Sequence, residues 1–369
     1  MGKKVTHIIT GLGKGGAETM LYQVIKFRTD LSIEYKVLSL GGSSYYEDMI
    51  RELGVSVEVF PLKKKPFSSM YHIINSIRGS DALCCWMMHA NLVGFIAAKL
   101  SGVSHVIWCV RHSNTGGEFL KPRTVQIDSI CARLSKRVDL IAYNGNRSRK
   151  AYERLGFCKE KGIVLDNGCD CEEYAPNSEA RGRLLDELGI GNNKKIVLSV
   201  SKNDPIKDIP TFIRAFSIFR ERHTEAVAVL CGSRVEENEQ MLGYCREVGL
   251  KPHEDIYFLG MRHDVSLLLA ACDLYVLHSA GEAFPNTLLQ AMSASCLCIA
   301  TNVGDARRIM GNDRFIINPQ EPEEMAEKMA EVFTLPIVEQ EAERARNRKR
   351  VQKYFDIRNI VRKYEEIYS

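Results

Sequence analysis

Short runs of apolar residues alternate along the chain with stretches in which apolar residues recur every three or four positions. The runs predict buried β-strands, and the stretches between them predict amphipathic helices. This alternation is typical of α/β proteins with parallel sheets covered by helices on both faces. The predicted strands are Val5–Ile9, Tyr35–Leu40, Val55–Phe60, Leu83–Met88, Val106–Val110, Leu140–Ala142, Ile163–Leu165, Ile196–Val200, Ala226–Cys231, Ile256–Leu259, Leu274–Leu277, Cys298–Ala300 and Phe315–Ile317.

The pattern divides into two blocks of similar size. A polar, charge-rich stretch, Asn177–Lys195, separates seven predicted strands from six. We therefore expect two Rossmann-like domains, residues 1–175 and 176–351, with a cleft between them. The final segment, Ile337–Ser369, predicts one long charged helix with an apolar stripe. Its last part, from about residue 352, is expected to pack back onto the first domain.

Composition excludes several classes of protein. The 369 residues are 45% hydrophobic and 26% charged, which is ordinary for a soluble globular protein. The net charge of +4 is too small to indicate a nucleic-acid partner. The charge is uneven, however: residues 1–175 carry 24 Lys and Arg against 17 Asp and Glu, and the remainder carries 26 against 29. The two halves either face different partners or simply carry ordinary solvated charge.

The sequence favours a cytoplasmic protein. The polar start Met1–Lys4 and the short apolar run Val5–Thr10 do not predict a signal peptide. The longest apolar stretch, Ala82–Ala98, contains His89 and is too short to span a bilayer, so we interpret it as a buried strand entering a helix. Twelve scattered cysteines without zinc-ligand spacing indicate free thiols in a reducing compartment.

Two loops carry candidate chemistry for binding a phosphate. Gly11–Gly16 follows the first strand with the Gly-x-Gly-x-x-Gly spacing that lets a backbone approach a phosphate at a helix N-terminus. The second strand ends without the carboxylate that a dinucleotide site needs, which leaves a phosphorylated or sugar ligand, or simply a tight turn. Lys202 and Lys207 follow the first strand of the second block, where ammonium groups can offset the charge of a departing diphosphate, although surface loops often carry lysines.

A third segment, Ser279–Met292, follows the predicted strand Leu274–Leu277. Pro285 predicts a helix start and Asn286 a cap, which places free backbone amides at the edge of the sheet. Glu282 lies in the preceding loop, and Gln290 lies about one turn into the helix. The alternative is a capped helix beside one solvated glutamate.

The segment resembles the Glu–seven residues–Glu motif of retaining glycosyltransferases of family 4, which have the GT-B fold. The resemblance extends over most of the chain. Its further motifs are Gly15–Glu18, Trp86–Ala90, Val110–Ser113, Asp166–Asp170, Phe258–Asp264 and Thr301–Asp305. It implies two facing Rossmann-like domains and transfer of a hexose from a nucleotide-diphosphate sugar, with a UDP-sugar as the expected donor, and with retained anomeric configuration.

The resemblance also implies roles for individual residues. Lys202 and Lys207 would hold the diphosphate, and Gly15 and Gly16 would cover it from the first domain. Glu282 would contact hydroxyl groups of the donor sugar. His112 would touch the sugar, with its backbone carbonyl facing the developing positive charge, so that Glu282, His112 and Lys207 are the expected catalytic residues. The other expected donor-binding residues are Asn286, Thr287, Gln290 and Arg262.

The chain departs from the family at two positions. Lys202 stands where the family usually has Arg, and Gln290 stands where it has the second Glu. Lysine lacks the two-pronged grip of Arg on phosphate, and Gln loses charge-assisted hydrogen bonds to the ribose, so donor affinity or nucleotide preference is expected to differ. No Asp-x-Asp occurs in the chain, and we expect neither a metal nor another cofactor. The sequence leaves open whether the acceptor attacks on the face of the leaving group or through a glycosyl-enzyme.

The acceptor is expected to be a glycan or lipid-linked glycan in the synthesis of a cell-surface polysaccharide. Lys63–Phe67 and Arg147–Lys150 lie in the basic half and suit anionic lipid headgroups or a lipid-linked diphosphate, which predicts peripheral association with the inner face of the membrane. Two alternatives remain: a nucleotide-sugar epimerase on the same fold, and a non-catalytic binding or scaffold subunit.

Overall fold

The structure is a computed structural model that describes residues 2–42, 45–112 and 122–368. It divides into unit 1, Met1–Gly168 with Ile357–Ser369, and unit 2, Cys169–Asp356. The divisions therefore fall after residues 168 and 356, where the sequence placed them after residues 175 and 351. Each unit is a parallel sheet flanked by helices, as the alternating pattern predicts.

Unit 1 contains a seven-stranded sheet in the strand order β3-β2-β1-β4-β5-β6-β7, in which every pairing is parallel. The interior strand β1 is buried along nearly its whole length, and Ile8 lies between Leu38 of β2 and Cys85 of β4. The elements are β1 Lys4–Ile9, α1 Gly16–Lys26, β2 Glu34–Ser39, α2 Tyr45–Glu52, β3 Ser56–Val59, α3 Pro66–Ile77, β4 Ala82–Trp86, α4 Met88–Ser101, β5 His105–Val110, α5 Pro122–Leu134, β6 Leu140–Tyr143, α6 Asn146–Arg154 and β7 Gly162–Val164.

Unit 2 contains a six-stranded sheet in the order β10-β9-β8-β11-β12-β13, which is also parallel throughout. Its elements are α7 Ala180–Leu188, β8 Lys195–Val200, α8 Ile209–Arg220, β9 Ala226–Cys231, α9 Glu239–Val248, β10 Ile256–Phe258, α10 Val265–Ala271, β11 Leu274–Leu277, α11 Asn286–Ser293, β12 Leu297–Thr301, α12 Ala306–Met310, β13 Ile316–Ile317, α13 Pro322–Thr334 and α14 Ile337–Tyr354. The strands β8, β9 and β11 are almost wholly buried, as strands of a sheet covered on both faces must be.

The prediction of one long helix over Ile337–Ser369 is wrong. The segment forms α14 in unit 2 and a second helix, α15, at Ile357–Glu366 in unit 1. The break lies at Phe355, whose buried side chain ends α14 and whose carbonyl accepts a hydrogen bond from the amide of Cys169 (2.8 Å). The apolar stripe of α15 is buried in the core of unit 1, where Tyr364 stacks on Trp86 with 5.7 Å between ring centroids.

Candidate functional site

The candidate residues of unit 2 lie at one edge of its sheet. Lys202 and Lys207 follow β8, and Glu282 follows β11, the strand that pairs directly with β8. The strands are parallel, so the loops after their carboxyl ends share an edge, which is where open α/β sheets bind ligands. Backbone hydrogen bonds join the two loops: the carbonyl of Ile206 accepts from the amides of Ala280 (2.9 Å) and Gly281 (3.3 Å).

Lys207 and Glu282 form an ion pair between these loops. The ammonium of Lys207 contacts Oε1 of Glu282, and the two side chains are only 19% and 13% exposed. The hydroxyl of Ser279 donates to the same carboxylate oxygen at 2.9 Å. A mostly buried ion pair with a third polar partner is held more firmly than a surface pair, because water competes less for its charges. Two residues chosen from separate motifs are therefore brought together.

The loop that carries the lysines is built around Asp204. Its Oδ1 accepts a hydrogen bond from the amide of Ile206 (3.3 Å), and its carbonyl accepts from the amide of Lys207 (2.8 Å), which forms a 3₁₀ turn over Pro205–Lys207. Asp208 then adopts a left-handed conformation with φ of 53° and leads into α8. This turn sets the direction in which Lys207 leaves the backbone.

Lys202 is half exposed and pairs with Asp204 at 2.9 Å. Partial burial alone would raise the pKa of Asp204, but the hydrogen bonds from Lys202 and Ile206 and the charge of Lys207 together lower it. Both lysines therefore act electrostatically on the same carboxylate, and Asp204 holds Lys202 in place.

Helix α11 carries the next three candidates. It begins at Asn286, and Pro285 occupies the N-cap position without a side-chain cap, so the prediction that Asn286 caps the helix is wrong. The hydroxyl of Thr287 bonds with the buried Tyr275 hydroxyl at 2.7 Å, which ties the helix start to β11. Gln290 is half-buried and lies four residues after Asn286, on the same face of the helix.

The end of β12 and the loop after it contact the backbone of the Glu282 loop. Thr301 donates a hydrogen bond to the carbonyl of Ser279 at 2.8 Å. Gly304 has φ of +50°, and a Cβ atom there would lie 2.6 Å from the carbonyl oxygen of Ala283 and 2.8 Å from that of Glu282. Only glycine fits this approach of two backbones, so Gly304 helps to define the position of Glu282.

A buried histidine lies behind the same edge. His278 follows β11 and bonds through Nε2 with the hydroxyl of Ser199 at 2.6 Å. Burial lowers the pKa of His278 to about 4, and the charge of Lys207 acts in the same direction. The imidazole is therefore neutral near pH 7, which keeps a second positive charge away from Lys207.

Arg262 is occupied by two carboxylates of unit 2. Its guanidinium forms a fork with Asp264 (2.8 and 2.7 Å), and it also contacts Glu187, with one contact of 3.0 Å. The hydrogen bonds from Asp264 and Glu187 raise the pKa of Arg262. A role for Arg262 in donor binding stays a prediction, and it requires this cluster to open.

In unit 1, Gly15 and Gly16 lie at the start of α1. Gly15 is the N-cap and Gly16 is the first helical residue. The Glu18 carboxylate folds back over this terminus: a Cβ atom on Gly15 would lie 2.5 Å from its Oε2. Burial raises the pKa of Glu18, although a backbone hydrogen bond partly opposes this rise. The helix N-terminus therefore already faces a carboxylate from its own first turn.

His112 follows β5 at the same edge of the unit 1 sheet, and its side chain is exposed. Its carbonyl oxygen accepts a hydrogen bond from Oγ of Ser148 at 3.1 Å. The preceding Arg111 is buried, donates to Oδ1 of Asn167 at 2.8 Å, and lies over the ring of Trp86. These contacts anchor the end of β5; Ser113, from the same motif, lies outside the described residues.

Comparison with known proteins finds a family match within unit 2. Residues 181–352, which lie within unit 2, match the family model of glycosyl transferases group 1. Unit 2 carries a domain that matches glycosyl transferases group 1, and the chain is a glycosyltransferase. This finding confirms the recognition of a glycosyltransferase and the prediction of an enzyme that transfers sugars, whereas family 4 and retention of configuration stay predictions.

Relatives extend the likeness beyond the matched domain. The glycosyltransferase is 24% identical over 321 residues to the putative glycosyltransferase EpsF of Bacillus subtilis (81% of this chain and 79% of the relative). It is 25% identical over 332 residues to the Escherichia coli UDP-Gal:alpha-D-GlcNAc-diphosphoundecaprenol alpha-1,3-galactosyltransferase (87% and 80%). The crystal structure of Anabaena HepE in complex with UDP and glucose matches with a TM-score of 0.84 at 20% identity, covering 99% of this chain and 98% of HepE. This structural likeness confirms the predicted GT-B fold.

Several residues of the glycosyltransferase's site were missed by the sequence analysis. Ser279 contacts Glu282, Asp204 holds Lys202, and Ser148 contacts His112. The first two lie within three residues of a predicted site residue, which is the only signal the sequence offers. Ser148 lies 36 residues from His112, and only the pairing of β5 with β6 brings the two together.

Among the described residues of the glycosyltransferase, no group of three or more His, Cys, Asp or Glu side chains is placed to hold a metal ion.

In the same described ranges, no helix of the glycosyltransferase is both long enough and apolar enough to cross a membrane.

Proposed function

We propose that this glycosyltransferase transfers a hexose from a UDP-sugar to a lipid-linked glycan, with retention of anomeric configuration and without a metal ion, as a family 4 enzyme of cell-surface polysaccharide synthesis. The observation that carries the proposal is the Lys207–Glu282 ion pair at the carboxyl edge of the unit 2 sheet. In this proposal Lys207 is the cation for the leaving diphosphate, and Glu282 beside it is the carboxylate for the donor sugar.

The chemistry follows from the charges at this edge. Departure of a diphosphate from an anomeric carbon builds negative charge on the leaving oxygen and an oxocarbenium-like charge on the sugar. The ammonium groups of Lys207 and Lys202 offset the first of these charges. Donor binding places phosphate oxygens beside Lys207, whose ammonium then divides its hydrogen bonds between phosphate and Glu282. Glu282 thereby remains tied to Ser279 and turns its other oxygen toward the sugar hydroxyls.

The relatives support the choice of donor. HepE was crystallised with UDP and glucose, and the Escherichia coli relative is named for UDP-Gal. A uridine diphosphate leaving group needs cationic stabilisation of the kind that Lys202 and Lys207 supply. We therefore propose that these lysines take the place of a divalent cation and that chelators leave the activity unchanged.

The acceptor is proposed from the same relatives and from the charge of unit 1. The Escherichia coli relative is named for a GlcNAc-diphosphoundecaprenol acceptor. The excess of Lys and Arg over residues 1–175 suits a lipid-linked diphosphate and an anionic membrane surface. We propose that the enzyme works in the cytoplasm and associates peripherally with the inner face of the cell membrane.

The test is release of nucleoside diphosphate from a panel of nucleotide sugars, with and without a lipid extract as acceptor and with and without EDTA. We expect release with at least one UDP-sugar, stimulated by the lipid extract and insensitive to EDTA. Analysis of the anomeric linkage in the product tests retention. Loss of one electrostatic group at the reacting centre typically costs about 10²–10³ in rate. We therefore expect Lys207→Ala to abolish turnover and Glu282→Ala to reduce it about 100-fold or more.

A matched control is Lys251→Ala, because Lys251 also pairs with a carboxylate of unit 2, Glu254 at 3.2 Å, but is 70% exposed. This variant should keep full activity, and thermal unfolding checks that all variants fold. Conversion of the donor without release of nucleotide would indicate an epimerase. Donor binding without any turnover would indicate a binding subunit, and both results contradict the proposal.

A further inference from the structure

The lysines Lys63–Lys65 lie between β3 and α3, at the carboxyl edge of the unit 1 sheet. The amides of Lys64 and Lys65 donate to the carbonyl of Pro61 (2.9 and 3.1 Å), so the lysines occupy a tight turn, and Pro66 then begins α3. All pairings in this sheet are parallel, so the turn shares its edge with the loops that carry Gly15 and His112.

Two aromatic side chains stand exposed on the first turns of α3. Phe67 is 91% exposed and Tyr71 is 65% exposed. They lie four residues apart and therefore on the same face of the helix. The opposite face is buried in unit 1 through Ile73 and Ile77, so α3 is already seated in its own core and leaves the aromatic face outside.

The charged residues on either side of these aromatics in the sequence have one sign. Residues 59–80 contain Lys63, Lys64, Lys65 and Arg78 and no Asp or Glu. None of the three lysines forms an ion pair with a residue that the structure describes. Burial, and then the charge of Lys63, lower the pKa of His89, so the positive field of Lys63 reaches the start of α4.

The second basic segment, Arg147–Lys150, differs from this surface. Within it, Nε of Arg149 pairs with Glu153 at 2.6 Å. Ser148 is buried. Helix α6 therefore offers a partly neutralised cluster without an exposed aromatic side chain, whereas α3 offers both kinds of group.

We propose that Lys63, Lys64, Lys65, Phe67 and Tyr71, here called the α3 surface, dock the protein onto an anionic lipid bilayer. Ammonium groups are attracted to acidic headgroups, and exposed aromatic rings enter the boundary between headgroups and acyl chains. This docking presents the carboxyl edge of the unit 1 sheet to the bilayer, where a lipid-linked acceptor is held. The purpose of this docking rests on the proposed function, because it assumes a lipid-linked acceptor. Binding to vesicles can be tested whether or not the proposed function is correct.

The test is co-sedimentation of the full chain with phosphatidylcholine vesicles prepared with and without phosphatidylglycerol. We expect binding that requires phosphatidylglycerol and weakens as salt is added. Each lysine near an anionic surface contributes about fivefold in affinity. Replacement of Lys63, Lys64 and Lys65 together by Gln should therefore weaken binding about 100-fold. The double variant Phe67→Ser with Tyr71→Ser should weaken binding at least about tenfold, including at high salt.

Matched controls lie at the opposite edge of the same sheet. Leu31 precedes β2 and is 81% exposed, and the exposed Lys136 and Arg137 precede β6. Leu31→Ser and the pair Lys136→Gln with Arg137→Gln should bind vesicles like the unaltered protein. Release of UDP in the absence of lipid should be the same in the α3 surface variants, which separates this proposal from the function of the unit 2 site.

Three results would overturn the proposal. One is equal binding to vesicles with and without phosphatidylglycerol. Another is an equal loss of binding in the controls. The third is self-association in sedimentation velocity that Phe67→Ser abolishes, because the α3 surface would then be covered by a second copy of the chain.

Discussion

The hydroxyl of Ser148 donates a hydrogen bond to the backbone carbonyl oxygen of His112, with 3.1 Å between Oγ and O. Ser148 is fully buried in the first turn of α6, and His112 follows β5. The bond joins the residues after β5 to the first turn of α6 at the carboxyl edge of the unit 1 sheet. It fixes the orientation of the His112 carbonyl group. The family resemblance implies that this carbonyl faces the developing positive charge.

We expect Ser148→Ala to lower kcat about tenfold, because the carbonyl loses the group that orients it; a tenfold change corresponds to about 1.4 kcal/mol, the size of one hydrogen bond. The KM for the donor should change little. Steady-state kinetics measures both values, and Ser148→Thr should restore kcat. Ser129→Ala removes a similar bond, from Ser129 to the carbonyl of Val125 (3.0 Å) in α5, and should have no effect. An unchanged kcat in Ser148→Ala would show that the bond is only structural.

Replacement of Gly304 is expected to lower both the stability of unit 2 and the enzyme's activity. In Gly304→Ala the new Cβ atom meets the carbonyl oxygens of Ala283 and Glu282 at a φ of +50°. We expect a loss of about 3 kcal/mol in the free energy of unfolding and a large drop in UDP release, because the Glu282 loop must move. The control is Gly189→Ala, where φ is +66° but no atom lies within 4 Å of the new methyl group.

Denaturant unfolding of both variants separates the cost of the steric clash at Gly304 from the cost of the left-handed backbone conformation, which both positions share. Gly189→Ala should lose about 1 kcal/mol, which is the cost of the left-handed conformation alone, and should keep its activity. An equal loss in the free energy of unfolding of the two variants would mean that the Glu282 loop moves aside at no energetic cost.

The buried His278 predicts acid sensitivity of unit 2. Its pKa is about 4 in the folded protein and about 6.5 in an unfolded chain. Between these values the unfolded state binds more protons, so the free energy of unfolding falls as the pH falls. The stabilisation is complete above about pH 6.5 and is lost towards pH 4, with a total of roughly 3 kcal/mol.

Denaturant titrations between pH 7 and pH 4 test this dependence. His278→Gln should flatten the pH dependence over this interval, since a neutral amide replaces the titrating ring. His7, which is buried in unit 1 with a pKa of about 3, should act in the same way on its own unit. A slope that is identical with and without His278 would refute the assignment.

Replacement of Gln290 by Glu is expected to strengthen donor binding. The position lies on the Asn286 face of α11, and the family usually has Glu there. We expect Gln290→Glu to lower the KM for the UDP-sugar several-fold, because hydrogen bonds from ribose hydroxyls to a carboxylate are about twice as strong as those to an amide. Gln290→Ala should raise the KM. A higher KM in Gln290→Glu would mean that this chain binds its donor differently from the family.

The fold could be predicted because each buried strand is a nearly continuous apolar run. All thirteen predicted strands occur, and the runs Ala226–Cys231 and Leu274–Leu277 are strands with the predicted bounds. The pairing of Lys207 with Glu282 could also be anticipated in outline. Both follow strands of one parallel block, and such loops share an edge.

Long-range contacts account for what the sequence did not show. The break between α14 and α15 involves neither Gly nor Pro; it depends on the buried side chain of Phe355 and on a bond to Cys169, which lies 186 positions earlier. Asn286 has good capping chemistry, but Pro285 takes the cap position. The partners of Arg262 include Glu187, 75 residues away, and no local pattern reveals them.

The return of α15 to unit 1 has a consequence for how the chain is made. Ile357, Ile360, Val361 and Tyr364 are fully buried in the core of unit 1, yet they are synthesised only after the whole of unit 2. Unit 2 is one uninterrupted piece, Cys169–Asp356, and can acquire its tertiary structure while synthesis continues. Unit 1 begins before unit 2 and is completed only after it, so its unfilled apolar surface is open to chaperones until α15 has been synthesised.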